Sequence, residues 1–436
     1  MNKRILSLAL PNIITNITVP LLGMVDTSIV GHLDTEGSSI DYIGAISVGT
    51  MIFNFIYWNF GFLRMGTSGF TAQSYGARDL KESMNILTRA LFIALLISFS
   101  LIILQYPISL LTRSFIENKN GVLDLGLRYF FILIWAAPAT LGMYALKGWL
   151  IGMQDSKTPM YIAIMINLVN IFFSLLFVIK FKMKIEGVAY GTLIAQYSGL
   201  ITTIVFWQIK YGKLKKYFNL KESINWHKMK LFFKVNSDIF LRTCCLIIVT
   251  TYFTIASSKM QYPTLAVNAL LMQLFTLFSY FMDGFAYASE SLCGKYYGAK
   301  DSKNLRKSVK YILSWGLGIS LVFMVLYYFF GENLLRLLTD KEHIILAAKD
   351  YMGWVLLIPL TGFVAFLYDG ILIGMTESAI MRNAIFIATA LFFVFFFTLS
   401  PFFANSALWI AFITYLLGRS VLMAVFSRNL IFNNKL

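Results

Sequence analysis

Residues Ile5 to Leu33 read ILSLALPNIITNITVPLLGMVDTSIVGHL, an apolar run that exceeds the roughly 20 residues a helix needs to cross a bilayer. The run carries one carboxylate, Asp26, at a depth where charge is costly and usually functional. Pro11 and Pro20 release backbone groups that only neighbouring helices or cavity water can satisfy. We therefore predict a membrane helix with proline hinges, in which Asp26 binds a proton or a cation. The alternative role for Asp26 is that of a structural hydrogen-bond acceptor.

The whole chain has this apolar character. Of its 436 residues, 58% are hydrophobic, 16% aromatic and only 13% charged, which leaves too little polar surface for a soluble protein. Apolar stretches of roughly 20 residues recur without the alternation that is typical of membrane strands. We predict an all-α integral membrane protein with twelve transmembrane helices, at 8–31, 42–66, 86–111, 125–150, 160–180, 186–208, 233–256, 264–290, 308–330, 345–373, 383–402 and 405–427.

The net charge of +16 comes mainly from alternate loops. Eight Lys and Arg residues lie between Lys210 and Lys234 and six between Lys295 and Lys310, whereas the acidic loop Asp34 to Asp41 has none. This asymmetry indicates membrane orientation and not nucleic-acid binding, and it predicts that both termini are cytoplasmic. We expect an uncleaved, multi-pass membrane protein.

Cysteine and histidine positions argue against disulfides, transition metals and cofactors. The three cysteines lie within or at the edge of predicted spans. We expect them to serve there as small apolar side chains and to form no disulfide. The three histidines are scattered and lack the spacing of metal ligands. The residues concerned are Cys244, Cys245, Cys293, His32, His227 and His343.

Two motifs recur at one fixed offset along the chain: YGARD at Tyr75–Asp79 returns as YGAKD at Tyr297–Asp301, and LIGM at Leu150–Met153 returns at Leu372–Met375. Six spans in each copy give both copies the same orientation, so the repeats are parallel. The predicted parts are an N-lobe (1–209), a basic cytoplasmic linker (210–231) and a C-lobe (232–436). Two such bundles in one monomer enclose a central cavity that can open to either side, an architecture typical of secondary transporters.

Polar residues within the first six spans are candidates for ion and substrate binding. Arg64 lies on a polar face with Gln73 beside it, and Arg64 either pairs structurally or faces the substrate cavity. Asn170 and Ser174 share a face of the fifth span with Asn167, and Thr192 lies on the sixth. Oxygen ligands from such positions, added to Asp26, would form a site for a small hard cation. The alternative is that these side chains hold the helices together.

The second half carries more carboxylates. Asp238 and Arg242 have the i, i+4 spacing of a helical ion pair. The eighth span has one polar seam of Gln273, Thr276, Tyr280, Asp283, Tyr287 and Glu290, and Asp369 lies in the tenth span. Because desolvation disfavours the carboxylate ion, such groups can exchange protons or hold sodium or an organic cation. For Glu290, a solvated helix end is the alternative.

Nearly the whole chain resembles the multidrug and toxic compound extrusion (MATE) transporters, and within them the DinF-like branch. The segments that carry the resemblance are Pro11 with VDTSIVGHL, FLRMGTSGFTAQSYGARD, GVAYGTLIAQ, NSDIFLRT, LAVNALLMQLFTLFSYFMDGFAYASE and LYDGILIGMTES. The resemblance implies two parallel six-helix lobes that export lipophilic, often cationic compounds in exchange for protons or sodium. It adds Asn268 and Gln273 to Arg64 and Gln73 as substrate-cavity candidates.

The resemblance also implies roles for single residues. Asp26 falls on the family's first-span acid, Pro11 on its bend-associated proline, and Asn170 and Thr192 on polar positions of the N-lobe cation site. Relatives often have Asp where this chain has Ser174, and one carboxylate instead of two favours protons over sodium as the coupling ion. The second-half acidic positions of the family correspond to Asp283, Glu290 and Asp369, with Arg242, Tyr280 and Tyr287 as polar neighbours.

Three other functions are weighed against this reading. A lipid-linked oligosaccharide flippase needs a strongly basic cavity, and Arg64, Lys147 and Arg242 are too few to favour one. A membrane-embedded transferase needs acidic metal motifs or clustered histidines at the membrane surface. A cation channel usually needs oligomeric symmetry. We therefore expect a monomeric antiporter, not an enzyme, whose partners are small lipophilic or cationic molecules and membrane lipids.

Overall fold

The computed structural model describes residues 1–31, 39–115 and 121–432, and within these ranges it contains helices and no strand. Positions 32–38, with His32 and most of the predicted acidic loop, lie outside the described residues. The α-helices are α1 (Asn2–Gly31), α2 (Ser39–Asn59), α3 (Phe62–Gly76), α4 (Leu80–Ile103), α5 (Gln105–Phe115), α6 (Val122–Leu133), α7 (Ala137–Gly152), α8 (Lys157–Leu175), α9 (Lys184–Tyr211), α10 (Leu220–Ser223), α11 (Trp226–Ser258), α12 (Thr264–Gly298), α13 (Ser302–Leu338), α14 (Glu342–Lys349), α15 (Met352–Gly374) and α16 (Ser378–Phe432).

Eleven helical stretches of the described chain are long and apolar enough to cross a membrane. The last of them, α16, has 55 residues, and its helical dihedral angles are interrupted at Ala404, where φ is 44° and ψ is −118°. A helix of that length would be about 80 Å long, more than twice the thickness of the hydrocarbon core. It therefore supplies two spans, and the prediction of an all-α protein with twelve spans is confirmed.

The chain forms two compact units. The N-terminal unit comprises Ile14–Phe232, and the C-terminal unit comprises Phe233–Leu436 together with Met1–Ile13. Helix α1 therefore contributes its first turns to one unit and its remainder to the other. The division into lobes 1–209 and 232–436, joined by the linker 210–231, stays a prediction.

The sequence repeat has a structural basis in helix packing. In the N-terminal unit α3 packs against α7, and in the C-terminal unit α12 packs against α15. A Cβ atom at Gly148 would overlap the carbonyl oxygen of Arg64, and one at Gly370 would overlap that of Ala286. The two contacts are separated along the chain by the same offset as the two motifs. Glycine is needed at these positions because the two backbones touch.

The repeated YGA(R/K)D motif forms the same helix start in each half. Arg78 and Lys300 adopt positive φ angles of 59° and 54°, which end the preceding helix. The Asp79 carboxylate then accepts a hydrogen bond from the backbone N–H of Glu82 at 2.9 Å, and Asp301 accepts one from Asn304 at 3.0 Å. These aspartates cap α4 and α13 by satisfying backbone donors that have no partner within the helix.

The segment that includes α10 and the first turn of α11 packs against α4 within the N-terminal unit. The Arg89 Nε donates to the carbonyl oxygen of Ser223 at 2.9 Å. Lys81 forms an ion pair with Glu222 at 2.8 Å, and Lys228 forms another with Glu82. The exposed ion pairs stabilise this contact weakly, whereas the buried Arg89 anchors it.

Candidate functional site

A buried carboxylate lies in the second half of α1, within the N-terminal unit. Asp26 is only 6% exposed, and the side chains of Asn170 on α8 and Thr192 on α9 are its hydrogen-bonding neighbours. The Asn170 Nδ2 donates to Thr192 Oγ1 at 2.8 Å, and Thr192 Oγ1 donates to the carbonyl oxygen of Val188 at 3.0 Å. The structure therefore brings together three residues that the sequence places on separate spans.

Close packing of α8 against α9 positions the fourth member of this cluster. Ser174 lies one turn after Asn170 and is fully buried. A Cβ atom at Gly191 would lie 2.7 Å from the Ser174 backbone nitrogen, so only glycine permits this approach of the two helices. Helix α8 continues directly into a π-helical turn at Leu176–Lys180, a feature that is frequent at functional sites.

Three buried oxygen atoms of this cluster have no hydrogen-bond partner within the described protein: Asp26 Oδ1, Asn170 Oδ1 and Ser174 Oγ. Leaving buried polar atoms without partners costs free energy. The arrangement is therefore suited to take up a proton or a small hard cation. The described residues contain no group of three His, Cys, Asp or Glu side chains that could hold a metal ion.

Tyr129 is a fifth member that the sequence analysis missed. It is buried on α6, its hydroxyl group interacts with the side chains of Thr192 and Thr50, and it lies within electrostatic range of Asp26. One signal was available in the sequence, because Tyr351 occupies the equivalent position of the second repeat. The match of Tyr129 with Tyr351 shows that the position is repeated, but it does not show that Tyr129 lies near Asp26.

Both prolines of the first span lie inside α1, which runs from Asn2 to Gly31 as one helix. Near Pro20, which has no N–H group to donate, the Asn167 Nδ2 donates to the carbonyl oxygen of Thr18 at 3.0 Å. Helix α8 thus hydrogen-bonds the α1 backbone two residues before Pro20, whereas the N–H group that Pro20 lacks would have served the carbonyl oxygen of Asn16. The role of Pro11 and Pro20 as hinges stays a prediction.

In the C-terminal unit, one carboxylate bridges two buried arginines. The Asp369 Oδ2 on α15 accepts hydrogen bonds from Arg242 on α11 and, at 2.7 Å, from Arg419 on α16. Arg419 is only 2% exposed, and its guanidinium carbon lies 5.4 Å from the centre of the Tyr415 ring. Sequence analysis missed Arg419, although an arginine inside the predicted span 405–427 is a signal of the same kind as Asp26.

The expected pairing of Asp238 with Arg242 is wrong. Asp238 instead forms an ion pair with Arg382 at 2.6 Å and accepts a hydrogen bond from Ser378 at 2.8 Å. The i, i+4 spacing permits an ion pair between Asp238 and Arg242 on one helix. In the structure, each of them pairs instead with an oppositely charged residue on a neighbouring helix. Arg242 is thereby committed to Asp369.

The polar seam of α12 is partly buried. Tyr280, Asp283 and Tyr287 are half-buried, and Asp283 lies within electrostatic range of Arg242. Glu290 is 1% exposed, so the alternative of a solvated helix end is wrong. The roles of these acidic groups in transport stay predictions.

The four substrate-cavity candidates have different surroundings. Asn268 is buried and exchanges hydrogen bonds with Ser257, Asn405 and Trp409 at 2.7 to 3.1 Å, so its amide group holds helices together. Gln273 is exposed and Gln73 is half-buried. Arg64 is buried within electrostatic range of Lys147, which places two cations close together in the N-terminal unit.

Comparisons with known proteins agree with this architecture. The MatE family model matches residues 11–176 and 239–399. The chain is 34% identical over 428 residues to DNA damage-inducible protein F of Escherichia coli (strain K12), across 98% of this chain and 92% of that protein. It is 22% identical over 365 residues to a probable multidrug resistance protein NorM of Thermotoga maritima, across 80% and 75% of the two chains.

Solved structures share the fold. A MATE protein crystallised in the bent conformation superposes with a TM-score of 0.85 at 20% identity, covering 99% of this chain and 95% of that one. A MOP superfamily transporter from Pyrococcus furiosus, described by the reverse polarity of its binding pocket, gives 0.83 at 20% identity, covering 98% and 95%. With the family model matching most of the sequence and a relative 34% identical along nearly its whole length, the chain belongs to the MatE family of multidrug and toxic compound extrusion transporters.

Proposed function

We propose that this protein is an antiporter that exports lipophilic, often cationic compounds across the bacterial cytoplasmic membrane in exchange for protons. Transport proceeds by alternating access between two six-helix lobes, with both termini in the cytoplasm. The observation that carries the choice of proton is the composition of the Asp26 cluster. Asp26 is its one carboxylate, and the other members of the cluster, Asn170, Ser174, Thr192 and Tyr129, all have neutral side chains.

The hydrogen-bond inventory of the cluster favours a proton. The Asn170 amide donates to Thr192, and Thr192 donates to its own helix, while Asp26 Oδ1 and Asn170 Oδ1 have no hydrogen-bond partner within the described protein. A proton on Asp26 supplies an O–H donor to a cluster that is rich in acceptors. Sodium would need more oxygen ligands, and usually more negative charge, than this cluster offers.

Protonation acts on the helix that both units share. When a proton from outside neutralises Asp26, its interaction with Asn170 on α8 and Thr192 on α9 changes, and α1 changes its contacts around Pro20. The compound is then released outward. A tenfold shift between the two states needs only about 1.4 kcal/mol, which one protonation event readily supplies.

The test is uptake of a fluorescent lipophilic cation into inside-out vesicles that contain the full-length protein. We expect uptake when the vesicle lumen is acidic, because lumenal protons leave as the compound enters. A sodium gradient of equal size at constant pH should give no uptake above that of vesicles without the protein. Uptake driven by sodium alone would contradict proton coupling.

Adding a second carboxylate should change the coupling ion. We expect Ser174→Asp to acquire uptake driven by a sodium gradient, because a second charge and two carboxylate oxygen atoms then replace one hydroxyl oxygen in the cluster. Ser174→Ala, which removes the hydroxyl group without adding charge, is the matched control and should keep proton-driven uptake. A Ser174→Asp protein that binds its compound but shows no response to sodium would contradict the assignment of this cluster as the coupling site.

A lipid-linked oligosaccharide flippase is the second candidate, and one observation favours it. Arg242 and Arg419 share the single carboxylate of Asp369, and Lys147 lies near Arg64, so buried cations in both units suit an anionic group. Protein that binds its compound in detergent but takes up no cation under either gradient would favour this function over drug export.

A further inference from the structure

A cavity opens in the C-terminal unit, and none of its lining residues belongs to the Asp26 cluster or to the Arg242–Asp369–Arg419 ion pairs. Its volume is about 460 Å³, within the range that accommodates a small ligand or a lipid headgroup. It lies between the beginning of α1 and an early part of α13. The lining residues are Asn2, Lys310, Tyr311, Ser314, Trp315 and Gly318.

The sequence of α13 places this cavity at the depth of lipid headgroups. With 37 residues, the helix is about 55 Å long and extends well beyond a hydrocarbon core about 30 Å thick. Its first turns, Ser302–Lys310, are polar and basic, and the apolar span begins immediately afterwards. Tyr311 and Trp315 therefore lie at the boundary where such aromatic side chains are enriched.

The chemistry of the lining suits a phosphate group. Lys310 brings a positive charge, the Lys307 ammonium group lies 5.9 Å from the centre of the Tyr311 ring, and the lining, all of it described, contains no carboxylate. The Trp315 Nε1 donates to Asn2 Oδ1 at 3.2 Å, which fixes the start of α1 against α13. The amide NH₂ group of Asn2 and the ammonium group of Lys310 are then the donors for an oxyanion.

The same face of α13 continues into an apolar stripe that suits an acyl chain. Gly318 lies two turns after Lys310, and a Cβ atom there would meet no other atom within 4 Å. Below it on this face lie Leu321, Val322 and Val325, which are 43%, 63% and 50% exposed. A polar, cationic cavity with an exposed apolar stripe beneath it matches the two parts of a phospholipid.

We propose that this cavity binds the phosphate headgroup of an anionic phospholipid, with an acyl chain along Gly318, Leu321 and Val325. The inference goes beyond transport and does not depend on the coupling ion. Lys310 provides the charge that favours an anionic headgroup over a zwitterionic one, since each lysine near an anionic lipid surface contributes measurably to binding. Gly318 leaves room for the chain where it joins the headgroup.

The test is native mass spectrometry of the full-length protein after incubation with equal amounts of phosphatidylglycerol and phosphatidylcholine. We expect retention of phosphatidylglycerol in preference, and a decrease of about fivefold in its bound fraction for Lys310→Gln. The matched control is Lys234→Gln, an exposed lysine at the start of α11 that does not line the cavity, and it should retain the lipid. Equal losses in both variants, or equal retention of the two lipids by the wild type, would overturn the proposal.

A second variant separates a lipid from free phosphate as the ligand. Gly318→Leu fills the open space of the groove while it keeps Lys310 and improves helix propensity, so it should lose phosphatidylglycerol and remain folded. Millimolar inorganic phosphate should not displace the lipid from the wild type. Displacement by phosphate, together with full lipid binding by Gly318→Leu, would identify a simple phosphate site and overturn the assignment to a lipid.

Discussion

Replacing Asp26 with Asn is expected to abolish uptake of a lipophilic cation driven by a pH gradient, with a decrease of at least about tenfold in the initial rate. Asparagine has nearly the same shape and keeps a carbonyl oxygen beside Asn170 and Thr192, but it cannot gain or lose a proton. Protonation then no longer favours one of the two conformations over the other. A loss of about 1.4 kcal/mol in their free-energy difference corresponds to a tenfold change in their population ratio. The measurement is fluorescence uptake into inside-out vesicles.

The control for this prediction is Thr27→Ala. Thr27 is adjacent to Asp26 but exposed, and its hydroxyl group donates to the carbonyl oxygen of Gly23 on its own helix at 2.9 Å. This variant should transport as the wild type does. Asp26→Asn should also keep its binding of the compound in detergent, which separates loss of coupling from loss of folding. A coupled rate close to that of the wild type in Asp26→Asn would rule out Asp26 as the proton carrier.

Replacing Gly370 with Val is expected to prevent the C-terminal unit from packing. A Cβ atom at this position would overlap the carbonyl oxygen of Ala286 and lie 2.8 Å from its carbonyl carbon. Backbone atoms cannot rotate away as a side chain can, so α12 and α15 would have to separate along their whole contact. Overpacking typically costs about 1–3 kcal/mol even where side chains can adjust. We expect a severalfold lower yield of monodisperse protein in size-exclusion chromatography and a lower melting temperature.

The matched control lies on the same helix. Gly353 is exposed near the start of α15, and a Cβ atom there would meet nothing within 4 Å. Gly353→Val should therefore fold and transport normally. Gly148→Val should reproduce the defect of Gly370→Val in the N-terminal unit, because the two glycines are related by the repeat. Normal yield and melting temperature for Gly370→Val would show that the helices separate at little cost.

Features that depend on short stretches of sequence could be predicted for this protein. The apolar runs predict the spans, because a bilayer requires long apolar helices wherever they occur in the chain. The motif matches at one fixed offset predict the repeat, and the structure adds two equivalent helix contacts at the same offset, at Gly148 and Gly370. Asp26 is visible as a candidate because an acid inside an apolar span is conspicuous without any knowledge of its neighbours.

The partners of buried charges could not be predicted in the same way. Helical spacing suggests that Asp238 pairs with Arg242, yet Asp238 binds Arg382, 144 positions away, and Arg242 binds Asp369, 127 positions away. Tyr129 joins the Asp26 cluster from a helix that its sequence does not link to α1. The sequence by itself determined the spans, the repeat and the central acid, because hydrophobic length and helical period are local properties. Only the tertiary structure decided which charges meet, because a buried charge pairs with whatever side chain helix packing brings within reach.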